Sequence, residues 1–336
     1  MHLLVALFAS IRHSFLQKNF PYRTDLCMLT RMENINKIRI GTRGSKLALA
    51  QSYMVEDLLK KHYPNIQIEI ITIQTTGDKI LEKNLYEIGG KGLFIKEIEE
   101  QLLSGDIDIA VHSMKDMPAE IHSDFDISCI LKREDPRDAL ICEIASSVDK
   151  LPQGATVGTS SPRRASQALF TRPDLKIVPF RGNIQTRLKK LQEKQVDATF
   201  LAIAGINRCK ISEKCIHTID KNIMLPAVAQ GAIGIETLTK RQDLQQLLLP
   251  LNDEITNTCV KTERAFLKEF EGSCKTPIAA LATINNGQIA ADFLIANMDG
   301  TIAHKTSRNG NLENAEEIGQ DAAKELSLLA GEGFFS

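Results

Sequence analysis

Two arginines stand where a helix usually avoids positive charge. Ser161 and Pro162 predict the N-cap and the first residue of a helix, and Arg163 and Arg164 follow in its first turn. The positive end of the helix dipole repels them there. Because helix N-termini bind anions through free backbone N–H groups, we interpret this segment as an anion site. A solvated basic face is the alternative.

Further arginines follow predicted strands, at the ends where open α/β sheets bind their ligands. They are Arg39, Arg43, Arg181, Arg187 and Arg208, with Gly182 and Asn183 beside Arg181. Arginine binds carboxylates through a planar fork that lysine cannot reproduce. We therefore predict a cleft between two α/β domains that is lined with arginine and binds a ligand carrying many carboxylates or phosphates.

Asp116 is the carboxylate expected inside this cationic cleft. It lies in the segment His112–Pro118, which closes an apolar strand, and Pro118 disfavours helix at Met117. The segment should therefore be a loop at the strand's carboxyl end, with Asp116 projecting into the cleft. An aspartate paired with Lys115 or with an arginine is the commoner alternative.

Cys274 is a candidate nucleophile. It follows Gly272, a plausible helix stop, and Lys275 is adjacent, so the thiol would lie on a loop beside a cation. No suitable histidine is nearby in sequence, which argues against a Cys-His hydrolase. The seven cysteines include no C-x-x-C spacing, so neither a zinc cluster nor a disulfide framework is indicated, and we expect no metal.

The composition limits the kinds of partner. The 336-residue chain has 43% hydrophobic and 25% charged residues, as expected of a soluble globular protein with two or three domains. Its formal net charge of −1 gives no global field for nucleic acid or an anionic membrane, so we expect neither partner. Lys91, within Gly89–Gly92, would lie on a flexible cationic loop that lacks the spacing of a nucleotide-binding P-loop.

Alternating strands and helices must position these residues. Periodicity predicts a β-α-β-α-β order from Ile38 to Val111 and a second β/α set from Thr156 to Ile203. Polar residues and a proline over Lys132–Asp138 predict a hinge between the sets, and a strand at Gly231–Glu236 could return to the first domain. This order argues for parallel or mixed sheets covered by helices.

The pattern changes at Asp253. A long helix is predicted from there to about Phe270, then short strands with hairpin turns at Asn286-Gly287 and Asp299-Gly300 and a last helix, which indicates a small α+β domain. The predicted boundaries are an N-terminal extension over 1–36, a first α/β domain over 37–131 and 231–250, a second α/β domain over 137–225, and the α+β domain over 253–336.

The N-terminal extension admits two interpretations. Its apolar run Leu3–Ala9 is too short to span a bilayer, and no basic segment precedes it. Four Arg/Lys against the single acid Asp25 between Arg12 and Arg31 permit an organelle-targeting segment. We favour a start at Met32, with residues 1–36 disordered or not native, and a cytoplasmic protein.

These segments together resemble the porphobilinogen deaminase family, also called hydroxymethylbilane synthase. The resemblance covers the chain from about Lys37 to its end, and the matching segments are specific as a set. In the family's order they are Arg39–Arg43, Gly89–Phe94, Ala110–Asp116, Arg133–Asp138, Gly158–Ser161 with Arg163 and Arg164, Arg181–Asn183 with Arg187, Leu225–Val228 with Gln230 and Gly231, and Glu271–Cys274.

The resemblance implies three domains, the first two similar to periplasmic binding proteins. It implies a dipyrromethane cofactor attached to Cys274 through a thioether, and Asp116 as the catalytic carboxylate. Cofactor contacts are implied for Lys91, Ser113, Lys115, Thr159, Ser161, Arg163, Arg164 and Arg187. Substrate contacts are implied for Arg39, Arg43, Ser45, Arg181, Gly182, Asn183, Arg208 and Gln230.

The implied activity joins four porphobilinogen molecules, with release of ammonia, into the linear tetrapyrrole hydroxymethylbilane. Each ring brings two carboxylates, which matches an arginine-lined cleft, and one aspartate there would stabilise the cationic azafulvene left by loss of ammonia. The resemblance also implies a monomer that could hand its product to uroporphyrinogen-III synthase. Ala229 and Ser273 stand where the family commonly has glycine.

A non-enzymatic anion-binding protein of the periplasmic-binding type is the competing class. It would explain two α/β domains, a hinge and the arginines. It would need neither Cys274 nor Asp116 nor a third domain, and it would require export, which the N-terminus does not support. We therefore favour an enzyme.

Overall fold

The computed structural model describes residues 35–76, 95–270 and 276–335. The predictions for Lys91, for Cys274 and for most of the N-terminal extension fall outside these residues. The contacts unite Lys37–Ser336 in one unit, so the boundaries of the three domains remain a prediction.

The described residues contain three sheets and the helices that cover them. The strands are β1 Lys37–Arg43, β2 Gln67–Ile73, β3 Ile109–Ser113, β4 Phe125–Ile130, β5 Asp138–Ile141, β6 Thr156–Gly158, β7 Lys176–Val178, β8 Ala198–Ala202, β9 Ile216–Thr218, β10 Ile233–Leu238, β11 Ile278–Asn285, β12 Gln288–Ala296 and β13 Ala303–Asn311. The α-helices are α1 Lys46–His62, α2 Lys96–Ser104, α3 Pro162–Thr171, α4 Ile184–Gln192, α5 Ile203–Arg208, α6 Gln242–Leu248, α7 Glu254–Glu269 and α8 Ala315–Ala330.

The first sheet has the strand order β2-β1-β3-β10-β4. Strands β1, β2 and β3 are parallel, and β10 runs antiparallel between β3 and β4. The strand predicted near Gly231–Glu236 does return to the first sheet, shifted by two residues. Ile38 and Ile40 of β1 are fully buried, as expected of a parallel strand with both faces covered.

The second sheet repeats this arrangement in the order β7-β6-β8-β5-β9. Three parallel strands are followed by an antiparallel strand, β5, and by the edge strand β9. The chain passes from β4 of the first sheet to the antiparallel strand β5 of the second sheet. It later passes from β9 of the second sheet back to the antiparallel strand β10 of the first sheet. The carboxyl ends of the parallel strands lie together at one edge of each sheet, which is where open α/β sheets generally bind their ligands.

Two segments, 131–137 and 219–232, carry the chain between these sheets, and they pair where they pass each other. The Glu134 N–H donates to the Gly231 carbonyl at 3.2 Å, and the Leu131 N–H donates to the Ile233 carbonyl at 3.0 Å. Gly231 has φ +91°, and a Cβ there would lie 2.5 Å from the Glu134 carbonyl oxygen. Only glycine permits this close crossing without displacement of the backbone.

The third sheet is the antiparallel meander β11-β12-β13, and helices α7 and α8 cover it. Asn286 and Gly287 take positive φ in the tight turn between β11 and β12, as their sequence predicted. Phe266 of α7 and Phe293 of β12 stack in the core with ring centroids 4.7 Å apart. The predicted fold class, two α/β units and a small α+β unit, is confirmed. No helix within the described residues is long and apolar enough to cross a membrane.

Candidate active site

Asp116 lies on a tight turn at the carboxyl end of β3. Residues Met114–Asp116 form one turn of 3-10 helix, which the Met117 N–H closes by donating to the Met114 carbonyl at 3.2 Å. The Met114 N–H donates to the Ala232 carbonyl, which fixes the turn to the strand entering β10. Asp116 is exposed, and within the described ranges its carboxylate makes no hydrogen bond or ion pair. The ion-paired alternative for Asp116 is therefore not seen among the described residues.

The two arginines at the start of α3 are buried, and both bind Asp138 of β5. Arg163 Nη1 donates to Asp138 Oδ2 at 2.8 Å, and Arg164 Nη2 donates to Asp138 Oδ1 at 2.7 Å. Their remaining contacts include the carbonyls of Leu225 and Phe200. The anion that the sequence required at this helix N-terminus is thus, in part, a carboxylate of the protein itself.

Burial and charge act in opposite directions at this cluster. Burial disfavours the ionised form of Asp138, but Arg163 and Arg164 outweigh it and hold the pKa of that carboxyl well below its usual range. Burial lowers the pKa of Arg163 even though Asp138 opposes the shift. Two cations share one anion, so the cluster retains an excess positive charge.

Gln230 connects this cluster to the turn that carries Asp116. Its side-chain amide donates to Asp138 Oδ1 at 3.0 Å and to the Pro136 carbonyl at 2.7 Å, while its oxygen accepts from Lys115 Nζ at 3.5 Å. Burial lowers the pKa of Lys115, and Asp116 and Asp138 oppose that shift. Lys115 therefore lies within electrostatic range of both acids.

More cations follow the strands of the second sheet. Arg187 Nε donates to the Gly182 carbonyl at 3.0 Å, and no acid pairs with its guanidinium in the part of the chain that the structure describes. Burial first, and then the charges of Arg164 and Arg181, lower the pKa of Arg187 to about 10. Three positive charges close enough to repel one another are what a polyanionic ligand would relieve.

Arg208 gives the same indication from the end of α5. Its Nη2 donates to the Gly231 carbonyl at 2.6 Å, whereas its Nε is buried without a partner among the described residues. Burial lowers the pKa of Arg208, and Glu134 opposes the shift. Arg43 is also at the predicted edge, because it is the last residue of β1.

Several predicted contact residues already have local hydrogen bonds. Ser45 caps α1 by accepting from the Ala48 N–H, and Asn183 caps α4 by accepting from the Thr186 N–H at 2.8 Å. Thr159 accepts from the Ser161 N–H at 3.1 Å, and the Ser113 hydroxyl bonds the Gln51 amide. Ser161 is the N-cap of α3 by position but makes no side-chain cap bond. Gly182 takes φ +120°, which orients the start of α4.

The predicted position is wrong for Arg39. This residue lies near the start of β1, and its Nε and Nη2 donate to the two oxygens of Asp108 at 2.9 and 3.0 Å. Asp108 precedes β3, so the pair is at the amino end of these parallel strands, opposite the edge that carries Asp116. The hydrogen bond to Asp108 raises the pKa of Arg39. Because the guanidinium fork already binds a carboxylate, we leave Arg39 out of the candidate site.

Glu263 of α7 binds the two segments, 131–137 and 219–232, that cross between the first two sheets. It was not predicted from the sequence. It is fully buried and accepts from Arg133 Nη1 at 2.5 Å, from the Ala229 N–H at 2.6 Å and from the Ala282 N–H at 2.8 Å. These three donors belong to the first crossing segment, the second crossing segment and β11. Helix α7 therefore ties the third sheet to the segments that align the first two. Ala229, at φ +56°, takes the left-handed conformation that suits glycine.

The chain is similar to proteins of one family over most of its length. The family model described as "Porphobilinogen deaminase, dipyromethane cofactor binding domain" matches residues 38–246, and "Porphobilinogen deaminase, C-terminal domain" matches residues 257–327. The "Porphobilinogen deaminase, chloroplastic" of Oryza sativa subsp. japonica is 48% identical over 308 residues, which cover 90% of this chain and 86% of that protein. The "Porphobilinogen deaminase" of Syntrophomonas wolfei is 44% identical, with 88% and 97% covered.

The chain also has low similarity to solved structures of other proteins. The periplasmic VFT2 domain of Bordetella pertussis BvgS has a TM-score of 0.41 and 16% identity, covering 66% of this chain and 89% of that one. The L-cystine solute receptor of Neisseria gonorrhoeae has a TM-score of 0.40 and 13% identity, covering 73% and 97%.

Proposed function

The chain belongs to the porphobilinogen deaminase family, and we propose that it joins four porphobilinogen molecules head to tail, with release of ammonia, into hydroxymethylbilane. The family match also gives dipyrromethane as the cofactor and an enzyme rather than an anion-binding protein. The observation that carries the proposal is that Asp116 is exposed, and unpaired among the described residues, at an edge otherwise rich in cations.

The charges of the described site fit a dipyrromethane with its acidic side chains. Lys115, Arg187 and Arg208 are half-buried cations without an ion-pair partner in the described ranges, and Arg208 also has an orphaned Nε. Unpaired buried donors are costly, so a ligand that brings carboxylates would satisfy them. We assign Lys115, Arg187, Ser113 and Thr159 to the cofactor, and Arg43, Arg181, Arg208 and Gln230 to the substrate chain. The bound cofactor would supply the pyrrole carbon to which the first substrate ring is joined.

Arg163 and Arg164 have a different part in this proposal. Their guanidinium groups are held by Asp138, so they provide a fixed positive charge rather than side chains that move to bind a ligand carboxylate. Ser161 lies at the start of α3, Gly182 and Asn183 lie at the start of α4, and Ser45 caps α1. These residues orient the binding groups, with their own hydrogen bonds largely committed to the protein.

Asp116 would act on the charge that develops during each addition. Loss of ammonia from porphobilinogen leaves a cationic azafulvene, and the Asp116 carboxylate would stabilise it at close range. After the new carbon–carbon bond forms, the same carboxylate oxygen would accept the proton that the attacking pyrrole carbon releases. The neighbouring cations bind the ring carboxylates and leave Asp116 as the anion that faces the reaction.

Single-turnover ring addition tests this role. Asp116→Asn keeps the shape of the side chain and removes its charge, so addition to enzyme loaded with preassembled primer should slow by about a hundredfold or more. Asp116→Glu keeps the charge, displaced by one methylene, and should retain partial activity. Near wild-type elongation by the loaded Asn variant would overturn the proposed mechanism.

The covalent link is a separate part of the proposal. A thiol is a good nucleophile toward the azafulvene, so Cys274 would form a thioether with the first ring and prime its own enzyme. The holoprotein should exceed its sequence mass by two pyrrole units, and Cys274→Ser should lack this addition. Cys209→Ser, a half-buried thiol in the second α/β unit, is the matched control and should keep it. A fully active preparation at the unmodified mass would contradict the link.

The relatives also bear on location. The proteins from Oryza sativa subsp. japonica and Pisum sativum are both named chloroplastic, which favours the organelle-targeting interpretation of residues 1–36 over a cytoplasmic protein. A reporter fused to residues 1–36 should then be imported by isolated chloroplasts. We keep action as a monomer, and hand-over of the product to uroporphyrinogen-III synthase, as proposals.

A further inference from the structure

The turn that carries Asp116 packs against helix α7, which also covers the third sheet, as well as against its own sheet. Met114 and Met117, on either side of Lys115 and Asp116, are buried in the same apolar cluster as Val260 and Phe266 of α7. A buried side chain is held in place by close-packed neighbours on every side. The position of the turn therefore depends on helix α7.

Arg264 of α7 makes the polar part of this contact. Its Nη2 donates to the Pro118 carbonyl at 2.7 Å and to the Ala119 carbonyl at 3.1 Å. Its Nη1 is buried with no hydrogen-bond partner, and no carboxylate lies within ion-pair distance in the described part of the chain. Burial lowers the pKa of Arg264. Holding a partly buried cation against two carbonyls, with one nitrogen buried and unpaired among the described residues, costs free energy.

An exposed ion pair joins the same two segments one turn further along α7. Lys268 Nζ lies 3.3 Å from Glu120 Oε1, and both side chains are well exposed. Exposed pairs of this kind contribute little to stability. Arg264 differs in its point of contact, because Pro118 and Ala119 follow Asp116 almost directly in the chain. Fixing those two carbonyls restricts the path of the backbone that leaves the turn.

We propose that Arg264 is a positioning residue that holds the turn carrying Asp116 at its working distance from the substrate. The proposal rests on the proposed function of Asp116. Helix α7 ends at Glu269, shortly before Cys274 in the sequence. One helix thereby precedes the primer cysteine and also braces the catalytic carboxylate. A displacement of about 1 Å can cost a reaction about a hundredfold, so even a partial loss of this brace should be measurable.

The test measures ring addition in single turnover by holoenzyme loaded with preassembled primer and given porphobilinogen. Arg264→Met keeps much of the apolar stem but removes both donors, and the rate per loaded molecule should fall by about tenfold or more. Arg264→Lys keeps a donor that can reach a carbonyl and should recover most of the rate. Lys268→Met, which removes the exposed link on the same helix, is the matched control and should add rings at the wild-type rate.

A coupling measurement separates positioning from general stabilisation. If Arg264 acts through Asp116, Arg264→Met should change the already slow rate of Asp116→Asn by less than about twofold, since effects on residues that act together are not additive. A loss of melting temperature with an unchanged rate per loaded molecule would overturn the proposal, as would fully additive losses in the double variant. If ring addition is slow in Asp116→Asn but has the wild-type rate in Arg264→Met, only the inference about Arg264 is refuted. If ring addition has the wild-type rate in Asp116→Asn, the proposed function of Asp116 is refuted.

Discussion

Asp116, at the edge of the first sheet, and Asp138, in the second, are both acids among basic side chains. Asp138 is fully buried, and two arginines and the Gln230 amide bind its two oxygens. Asp116 is exposed, and its carboxylate has no such partner within the described residues. The two regions are linked, because Lys115 and Gln230 lie between them.

The difference separates an acid that holds the site together from an acid that is available for chemistry. Arg163 and Arg164 are both buried, and their charges are neutralised by a carboxylate held in one position. Because Asp138 is that carboxylate, its oxygens cannot also bind a substrate. Asp116 can change partners during a reaction, because no described residue binds its carboxylate oxygens. This contrast supports our proposal that Asp116, and not Asp138, meets the cationic intermediate.

The largest expected effect is on stability, at Asp138. Asp138→Asn removes the carboxylate that neutralises two buried guanidinium groups, and breaking a buried pair in this way costs about 3 to 5 kcal/mol. Denaturant unfolding monitored by circular dichroism measures the change. Asp116→Asn is the matched control and should alter stability by only about 0.5 kcal/mol or less, since it removes the charge of an exposed side chain. If Asp138→Asn and Asp116→Asn lost the same free energy of unfolding, the distinction between a structural acid and an acid available for chemistry would be wrong.

The pH dependence of the same variant sharpens the comparison. The folded-state pKa of Asp138 is held below its usual range, so its contribution is present above the unfolded pKa of about 4 and is lost as pH falls through the folded value. The stability gap between the wild type and Asp138→Asn should therefore be widest near neutral pH and should narrow below about pH 4. A gap that stays constant down to pH 2.5 would mean that Asp138 acts through its shape rather than its charge.

The sequence predicted the long periodic elements and the short strands β6 and β7, but it missed several other short elements. Helix α7 and the returning strand β10 were found within a few residues, because their apolar patterns and turn residues agree with their structure. Strands β5 and β9 were missed since they have four and three residues, too few to show a period. Strand β4 was not predicted either, although Phe125–Ile130 alternates in part.

The candidate site was predicted by residue type better than by partner. The sequence indicated that Arg163 and Arg164 need an anion, but Asp138 was counted as a polar hinge residue. Its partners are 25 and 26 positions away, a separation that local patterns do not register. Glu263 was likewise taken for an ordinary helix residue. The available signal was its place three residues before Phe266, on the same buried face of α7, and that signal is too weak to predict a buried carboxylate with three hydrogen-bond donors.

Arg39 provides the smallest expected effect and the clearest check on where the ligand lies. Its fork binds Asp108 at the amino end of β1, and Arg241 Nη1 lies 3.5 Å from the same carboxylate. Arg39→Met keeps the apolar stem and leaves Asp108 with Arg241, so stability should change by less than about 1 kcal/mol. The KM for porphobilinogen should not change, because the side chain is at the edge opposite Asp116.

Arg187→Met gives the contrast for this measurement. Arg187 is half-buried beside Arg164 and Arg181, so its removal relieves repulsion in the empty site but takes away a carboxylate receptor when ligand is present. The free energy of unfolding of Arg187→Met should be unchanged or slightly higher than that of the wild type. Its ring addition should be slower at low substrate concentration. If Arg39→Met raised KM as much as Arg187→Met does, the substrate chain would have to reach the amino end of β1. The division between a ligand-binding edge and a structural edge would then be wrong for the first sheet.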